Sequence, residues 1–214
     1  MITKFSGNNL WFVSDTHFGH RGIIQFCNRP FATVEEHDKT LIDNWNSVVT
    51  PGDLVYVLGD FSIETDVDEI RKPLSKLNGQ KILILGNHDR KKVHAQLRAE
   101  NLWQGIYDYT SIRFQALDGQ KVFFRLFHTP ILEFDGAFKN HRPNEKYMHA
   151  YGHIHNANNY DAIYKELGFP AVHIGVDTSD EFPNTKPYTP IRLEDVYERA
   201  KTFLNPNKED KGWR

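Results

Sequence analysis

The stretch Lys81-Ile-Leu-Ile-Leu-Gly-Asn-His-Asp89 changes character at Gly86. A strand with one face in water alternates apolar with polar residues. The unbroken run Ile82 to Leu85 therefore reads as a short strand buried on both faces, and Gly86-Asn87-His88-Asp89 as the polar turn at its carboxyl end. The same transition recurs along the chain. Leu10-Trp-Phe-Val13 runs into Ser14-Asp15-Thr16-His17, and Leu54-Val-Tyr-Val-Leu58 into Gly59-Asp60. Val122-Phe-Phe-Arg-Leu-Phe127 runs into His128, and Met148-His-Ala-Tyr151 into Gly152-His153-Ile154-His155. All five runs are expected to be central strands. Open α/β sheets bind ligands beyond the carboxyl ends of neighbouring strands, so the turns are expected to deliver their side chains to one pocket at one edge of the sheet.

The segments between the runs supply the rest of the architecture. Thr33-Val-Glu-Glu36 has the form of a capping box, and Val34, His37, Leu41, Ile42, Trp45 and Val48 follow at helical spacing. A helix here returns the chain to the second strand through the turn Pro51-Gly52-Asp53. The 20 residues between Asp60 and Lys81 suffice for the crossover that parallel strands need, with Pro73 ending or kinking its helix. Residues 91–102 read as a further helix with a weaker pattern. Residues 110–117 and 120–127 flank Asp118-Gly119, a hairpin signal in which Asp-Gly supplies positive φ angles, so an antiparallel pairing joins the parallel one. Ala171 to Val176 is expected as a strand ending at Asp177, and Leu193 to Leu204 as a closing helix with Val196, Ala200 and Phe203 on one face. Residues 1–204 read as one domain, and the polar tail 205–214 is expected to fray.

Composition narrows the partners. The 214 residues, 39% hydrophobic and 13% aromatic, are enough to bury a large core. A formal charge of −2 gives no global reason to bind nucleic acid or an anionic membrane, so a long polyanion is not favoured. The one cysteine, Cys27, excludes an internal disulfide, fits a reducing compartment and removes thiolate metal chemistry. No stretch approaches the ~20 apolar residues of a membrane span, and Met1-Ile-Thr-Lys-Phe-Ser-Gly lacks the apolar segment of a signal peptide. The expectation is a cytoplasmic protein without a membrane partner.

The polar turns hold carboxylates (Asp15, Asp60), an amide (Asn87) and imidazoles (His17, His128, His153, His155). This nitrogen and oxygen set suits first-row divalent ions. Mn²⁺ is the first expectation, with Fe, Zn²⁺, Ni²⁺ and Co²⁺ left open by ligand type. Seven side chains exceed what one four- to six-coordinate ion uses, so two ions are expected, with Asp60 the natural bridge.

The series D-x-H, G-D, G-N-H-D, H and G-H-x-H, in that order over residues 15 to 155, resembles the calcineurin-like metallophosphoesterase family. G-N-H-D together with G-H-x-H is hard to obtain by chance. The resemblance implies an α/β fold, a four-layer αββα sandwich of two mixed β-sheets flanked by helices. It implies that Asp15, His17 and His155 hold one metal ion, that Asn87, His128 and His153 hold the other, and that Asp60 bridges them. A hydroxide between the ions would attack phosphorus in line.

His88 lies between a ligand position and an acidic neighbour. It is expected to donate a proton to the leaving alkoxide while Asp89 holds its orientation and raises its pKa. His20 and Arg21 follow the first motif closely enough to reach a bound phosphate. Lys139-Asn-His-Arg142, with Lys146, is a basic loop between two ligand positions, with Arg142 its candidate substrate contact. The plain alternative for each is a solvated loop. Phe61-Ser62 stand where many family members carry further polar residues, so no supporting partner is assigned there. Asp177, in Gly175-Val176-Asp177, is a candidate to orient a ligand histidine. His37, His94, His141 and His149 carry no distinguishing pattern, His173 reads as structural, and Trp11, Trp45 and Trp103 read as core.

The leading functional expectation is a phosphodiesterase or phosphatase acting on a small-molecule phosphate ester, with nucleotides among the candidates. A nuclease of the same fold would be expected to carry a basic groove or stacking platform. A non-catalytic scaffold would be expected to lack ligand positions. The intact ligand set and near-neutral charge favour the first.

Overall fold

In the computed structural model the chain is described over residues 10–137, 144–157, 160–183 and 185–204. The first sheet has the spatial order β4 (Gly105–Tyr107), β3 (Gln80–Ile84), β2 (Leu54–Val57), β1 (Leu10–Val13), β9 (Ile191–Arg192). β1 to β4 are parallel, and β9 joins β1 antiparallel, with Phe12 opposite Ile191. The second sheet runs β5 (Thr110–Gln115), β6 (Lys121–Leu126), β7 (Glu145–Tyr151), β8 (Ala171–His173). Its β5–β6 pair is antiparallel and the others parallel. All five apolar runs therefore occupy interior positions, but they are divided between two sheets instead of lying side by side in one.

Helices make the parallel crossovers. α1 (Arg21–Phe26) and α2 (Val34–Val48) connect β1 to β2, α3 (Val67–Leu74) leads to β3, and α4 (Lys91–Ala99) to β4. α5 (Tyr160–Leu167) links β7 to β8, and α6 (Leu193–Lys201) follows β9. α2 starts at its capping motif: Thr33 Oγ1 accepts from the Glu36 N–H at 3.1 Å. The Glu36 carboxylate accepts from the Ala32 N–H at 2.8 Å, one residue before the capping residue itself. Pro73 sits in the last turn of α3, which ends at Leu74. No helix among the described residues is long and apolar enough to cross a membrane.

Alternation along the first sheet explains its unbroken apolar runs. Leu10, Phe12, Tyr56, Leu58 and Ile84 face the second sheet's Phe114, Phe124 and Met148 in one buried cluster. Trp11, Val13, Val55, Val57 and Leu83 face Leu41 and Trp45 of α2, Ile70 and Leu74 of α3, and Leu97 of α4 in another. Both faces are dry, so both sets are apolar. Trp45 and Trp103 are each 1% exposed, as expected of core.

Two local expectations are corrected. The hairpin loop has three residues, Leu117-Asp118-Gly119, between the paired Ala116 and Gln120. Only Gly119 takes positive φ, at 83°, while the Asp118 carboxylate accepts from the Gln120 N–H at 3.1 Å. This is the three-residue loop with one left-handed position, not a two-residue primed turn. The strand expected from Ala171 to Val176 stops at His173, and residues Val176–Glu181 form a 3₁₀ turn. Ile174 N–H still donates to Tyr151 O at 2.9 Å, but Val176 N–H donates to Ser14 O at 3.1 Å. The chain thus leaves the second sheet for the end of β1, which carries Asp177 to the site.

His149, undistinguished in the sequence, is fully buried on β7, stacked on Tyr151, with Nδ1–H donating to Arg125 O at 3.0 Å. Burial pushes its pKa down to about 4, against the pull of backbone acceptors. Its folded pKa lies below its unfolded one, so between these values the unfolded chain holds the extra proton. Stability is then lost as pH falls from about 6.5 through 4, by about 3 kcal/mol from this group. Unfolding free energies of the wild type and His149→Asn, from urea titrations between pH 7 and pH 4, should show the wild type's advantage falling by about 3 kcal/mol over that range; a difference that stays constant would refute the assignment.

Candidate metal centre

Each expected ligand sits in a turn at a strand end, and at five of the seven the backbone is strained. Asp15, His17, Asp60, His153 and His155 have φ of 60°, 51°, 52°, 73° and 50°. Side chains with a Cβ rarely enter this left-handed region, and such strain, about 1–3 kcal/mol per residue, persists only where neighbours impose it. Hydrogen bonds between the turns do so: Asp15 N–H to Gly59 O (3.0 Å), His17 N–H to Asp60 O (3.0 Å), Gly152 N–H to His128 O (2.8 Å). The motif glycines are required by close approach. A Cβ on Gly152 would stand 1.9 Å from Ser14 Oγ and 2.4 Å from Asp15 Oδ2, and one on Gly86 would stand 2.2 Å from Asp60 Oδ1.

The turns bring the seven side chains into two adjoining groups. Asp15, His17 and His155 place one ligand atom each within 4.8 Å of one another, and Asp60, His128 and His153 do the same. Asn87 Oδ1 joins the second group, 3.0 Å from His128 Nε2 and 2.9 Å from His153 Nδ1. Asp60 Oδ2 lies between the groups, 3.7 Å from His17 Nε2 and 3.4 Å from His128 Nε2. Both ring nitrogens of His17 are buried without a hydrogen-bond partner among the described residues. An imidazole so stranded, beside carboxylate and amide oxygens, fits a bound divalent cation, which would complete it.

The electrostatics agree. Burial pushes the Asp15 carboxyl up to about 6, against the charges of His128 and His155. Burial drives His17 down to about 2, leaving a neutral imidazole. Burial also penalises the Asp60 carboxylate, yet the His128 hydrogen bond and charge and the His88 N–H outweigh it and hold the carboxyl at about 2. Burial opposes the protons of His128 and His155 as well. Asp60 and Asp15 raise the first to about 9, and Asp177 and Cys27 raise the second to about 10. These imidazolium protons supply the positive charge a cation would bring, so a bound cation would displace them.

A residue without sequence signal supports the first group. The Asp177 carboxylate accepts from His155 Nδ1 at 2.9 Å, as expected of it, and binds Arg29 with both oxygens, Nε to Oδ1 at 2.7 Å and Nη2 to Oδ2 at 2.8 Å. Arg29, 3% exposed, also donates to the backbone oxygens of Asp15 (2.8 Å) and Thr16 (3.1 Å), and its Nη1 lies 2.8 Å from His37 Nε2. Arg29 lies in an irregular stretch, 148 positions before Asp177, and was missed. Cys27 lies with His155 and Asp177 in a third possible ligand grouping, contrary to the expectation that a lone cysteine removes thiolate chemistry, although the guanidinium on Asp177 opposes a cation there.

His88 is 46% exposed at the side chain, its Nε2 4.0 Å from Asp60 Oδ2 and its ring centroid 5.4 Å from that of His17. Asp89 does not orient it, and that expectation is corrected. The Asp89 carboxylate accepts from the backbone N–H groups of Asp60 (2.9 Å), Phe61 (3.0 Å) and Gly86 (2.9 Å), clamping two ligand turns together. His94 Nε2 lies 3.3 Å from it. Phe61 packs in the core against Trp103, and Ser62 Oγ donates to Phe18 O at 2.7 Å, so neither turns toward the ligands. His20 is half-buried with its ring 5.4 Å from that of His17. Arg21 is exposed and makes no ion pair among the described residues. Arg142 and His141 lie outside the described residues, and Lys146 lies in β7. His173 Nδ1 pairs with Thr178 Oγ1 at 3.0 Å, in keeping with a structural role.

A family model described as calcineurin-like phosphoesterase matches residues 9–175. The uncharacterized protein MJ1445 of Methanocaldococcus jannaschii is 31% identical over 207 residues, which cover 94% of this chain and 98% of that protein. The gene 66 protein of Mycobacterium phage L5 is 44% identical over 84 residues, 38% of this chain and 40% of its own length. A crystal structure of a protein of unknown function from Aquifex aeolicus, AQ665, superposes with a TM-score of 0.64 at 25% identity, covering 89% of this chain and 98% of the other.

Proposed function

Since the chain belongs to the calcineurin-like phosphoesterase family, a metal-dependent hydrolase family, we propose that it binds two divalent cations and hydrolyses a small phosphodiester or phosphomonoester, with Mn²⁺ the first candidate metal. The carrying observation is Asp60: its buried carboxylate belongs with His128 and His153 in one group of metal-ligand type and also reaches His17 of the other. Asp15, His17 and His155 would hold one cation, Asn87, His128 and His153 the other, and Asp60 both. When bound, the cations supply Lewis-acid neutralisation of phosphate oxygens and an acidified water nucleophile.

The chain's own residues do the rest. Asp177 accepts the Nδ1–H of His155, and Leu58 O accepts that of His128 at 2.8 Å, so each histidine turns Nε2 toward its group. His88, half-exposed above Asp60, is placed to give its proton to a leaving alkoxide. Its backbone N–H donates to Asp60 Oδ1 at 2.9 Å, which anchors it to the site without any part for Asp89. His20, beside His17, is the better placed of the two loop candidates for a phosphate oxygen, and Arg21 depends on side-chain movement.

The test is a metal-reconstituted panel of p-nitrophenyl phosphate, its bis ester, 2′,3′-cyclic nucleotides and dinucleotides. Inertness toward all of them with every metal would defeat the reading. His88→Ala should slow esters with alkoxide leaving groups by ~10²–10⁴ and nitrophenolate esters far less, because an activated leaving group needs no proton. An equal loss on both would remove His88 from the acid role.

A further inference from the structure

His37 lies on the face that α2 turns to the core with Leu41 and Trp45, and it is fully buried. An apolar side chain would fill that place without desolvating a ring nitrogen, so the imidazole is unexplained by packing. Polar partners hold it on both sides, with Nε2 2.8 Å from Arg29 Nη1 and Nδ1 2.8 Å from Asp38 Oδ1. A guanidinium nitrogen can only donate, so Nε2 keeps its lone pair and the ring proton sits on Nδ1, donated to Asp38. The bonds extend beyond the pair in both directions. Arg29 carries them to the backbone oxygens of Asp15 and Thr16 and to Asp177, which accepts from His155. Asp38 carries them to Gly19, whose N–H donates to Oδ2 at 3.0 Å. Gly19 takes a φ of 78° in a tight turn closed by the His20 N–H donating to His17 O at 3.0 Å. The first ligand turn and the His20 loop are thus tied to two consecutive residues of α2. Those residues are themselves fixed. The His37 N–H makes a helical bond to Thr33 O at 3.1 Å, and the Phe31 ring meets the imidazole in a T-shaped contact, 5.3 Å between centroids.

We propose that His37, locked as its Nδ1–H tautomer by Asp38, is a positioning residue for the first cation, and that Asp38 is a positioning residue for the His20 loop. The inference rests on the two-cation reading above and assigns the residues that set one side of that site. The imidazole is the link that can change. A backbone N–H and a guanidinium are fixed donors, whereas a neutral imidazole carries its proton on either nitrogen. With the proton on Nε2, one N–H would face another from Arg29, and the repulsion would shift Arg29 from Asp177 and from the Asp15 turn. Asp38 thus bears on metal binding while touching no expected metal ligand, through the tautomer it imposes.

Nitrogen NMR of the full chain loaded with diamagnetic Zn²⁺, with the His37 signals assigned by their loss in His37→Gln, is expected to show Nδ1 protonated and Nε2 bare. Asp38→Asn keeps the shape and separates the two roles. Its amide oxygen stays on the Gly19 N–H, which cannot adapt, and its NH₂ group faces His37 Nδ1, which must then move its proton to Nε2. Titration calorimetry should show Mn²⁺ binding about tenfold weaker in Asp38→Asn, the lower end of the usual effect of a group that supports a metal ligand. His37→Gln, whose amide oxygen can accept from Arg29 with no tautomer to set, should bind Mn²⁺ as tightly as the wild type. So should the double variant His37→Gln, Asp38→Asn, in which the loss is suppressed. Asp38→Ala frees Gly19 as well, so with Mn²⁺ bound it should hold inorganic phosphate about fivefold more weakly than Asp38→Asn does, as for one lost hydrogen bond. His37 protonated on Nε2 in the wild type, or a loss of Mn²⁺ affinity that persists in full in the double variant, would overturn the role of His37. Equal phosphate binding by the two Asp38 variants would overturn the role of Asp38. The expected tautomer and suppression in a protein that binds Mn²⁺ but cleaves no ester would support the positioning roles and defeat the hydrolase reading instead.

Discussion

Asp60→Asn is expected to reduce hydrolysis of bis-p-nitrophenyl phosphate by roughly 10³-fold or more and to lower metal content below two ions per chain. The substitution preserves shape. The amide oxygen still accepts from the His88 N–H, now at 2.9 Å from Oδ1, and no cavity opens in a site where Asp60 is 1% exposed. What it removes is the one negative charge lying between His17 and His128. Two cations sharing a site need that charge to offset their repulsion, and charge stabilisation of several kcal/mol at tenfold per ~1.4 kcal/mol accounts for the loss. His128, raised to about 9 chiefly against burial by Asp60, should titrate at lower pH in the variant. Atomic emission for stoichiometry, with activity at saturating metal, checks the result. Two retained ions with activity within tenfold of wild type would end the bridging role.

Arg29→Met should cost roughly 3–5 kcal/mol of folding stability, because it strips the Asp177 carboxylate, 3% exposed at the side chain, of its two guanidinium bonds and leaves it buried with His155 alone. It also frees the backbone oxygens of Asp15 and Thr16, which Arg29 holds within the strained first turn. With Asp177 no longer held, the orientation of His155 loosens, and metal affinity is expected to fall about 10–100-fold. Lysine should not rescue, since a single ammonium lacks the planar fork that meets both Asp177 oxygens. Urea unfolding with and without Mn²⁺ measures both effects. The double variant Arg29→Met, Asp177→Asn, which removes the stranded charge, should recover part of the stability and none of the affinity. A loss under ~1 kcal/mol with unchanged affinity would remove Arg29 from the supporting role.

Much of the site was legible because each motif is a local event. An apolar run buried on both faces ends, a glycine admits a close neighbour, and a metal-binding side chain follows. The chemistry is carried by the residue types themselves. The readings that failed had inferred spatial relations from sequence adjacency. Asp89 follows His88, but consecutive residues of a tight turn point apart, and the carboxylate's partners at Asp60 and Phe61 lie 29 and 28 positions earlier. Asp118-Gly119 was a sound turn signal, yet loop length was decided by the pairing of Ala116 with Gln120. The late strand was cut short by a bond from Val176 to Ser14, which no window around Val176 contains.

Taken alone, the order of residues determined which side chains can bind cations, that they stand at strand ends, and which family the chain resembles. These depend only on side-chain chemistry and on a polarity pattern a few residues long. The tertiary structure decided that the strands divide between two sheets, that Asp60 falls between two groups, that Asp89 clamps turns and that Arg29 steadies Asp177. Those outcomes depend on how the ends of the two sheets meet, through contacts such as Ser14 with Gly175. A dry strand is equally apolar whichever sheet it joins, so its pattern holds no record of its neighbours.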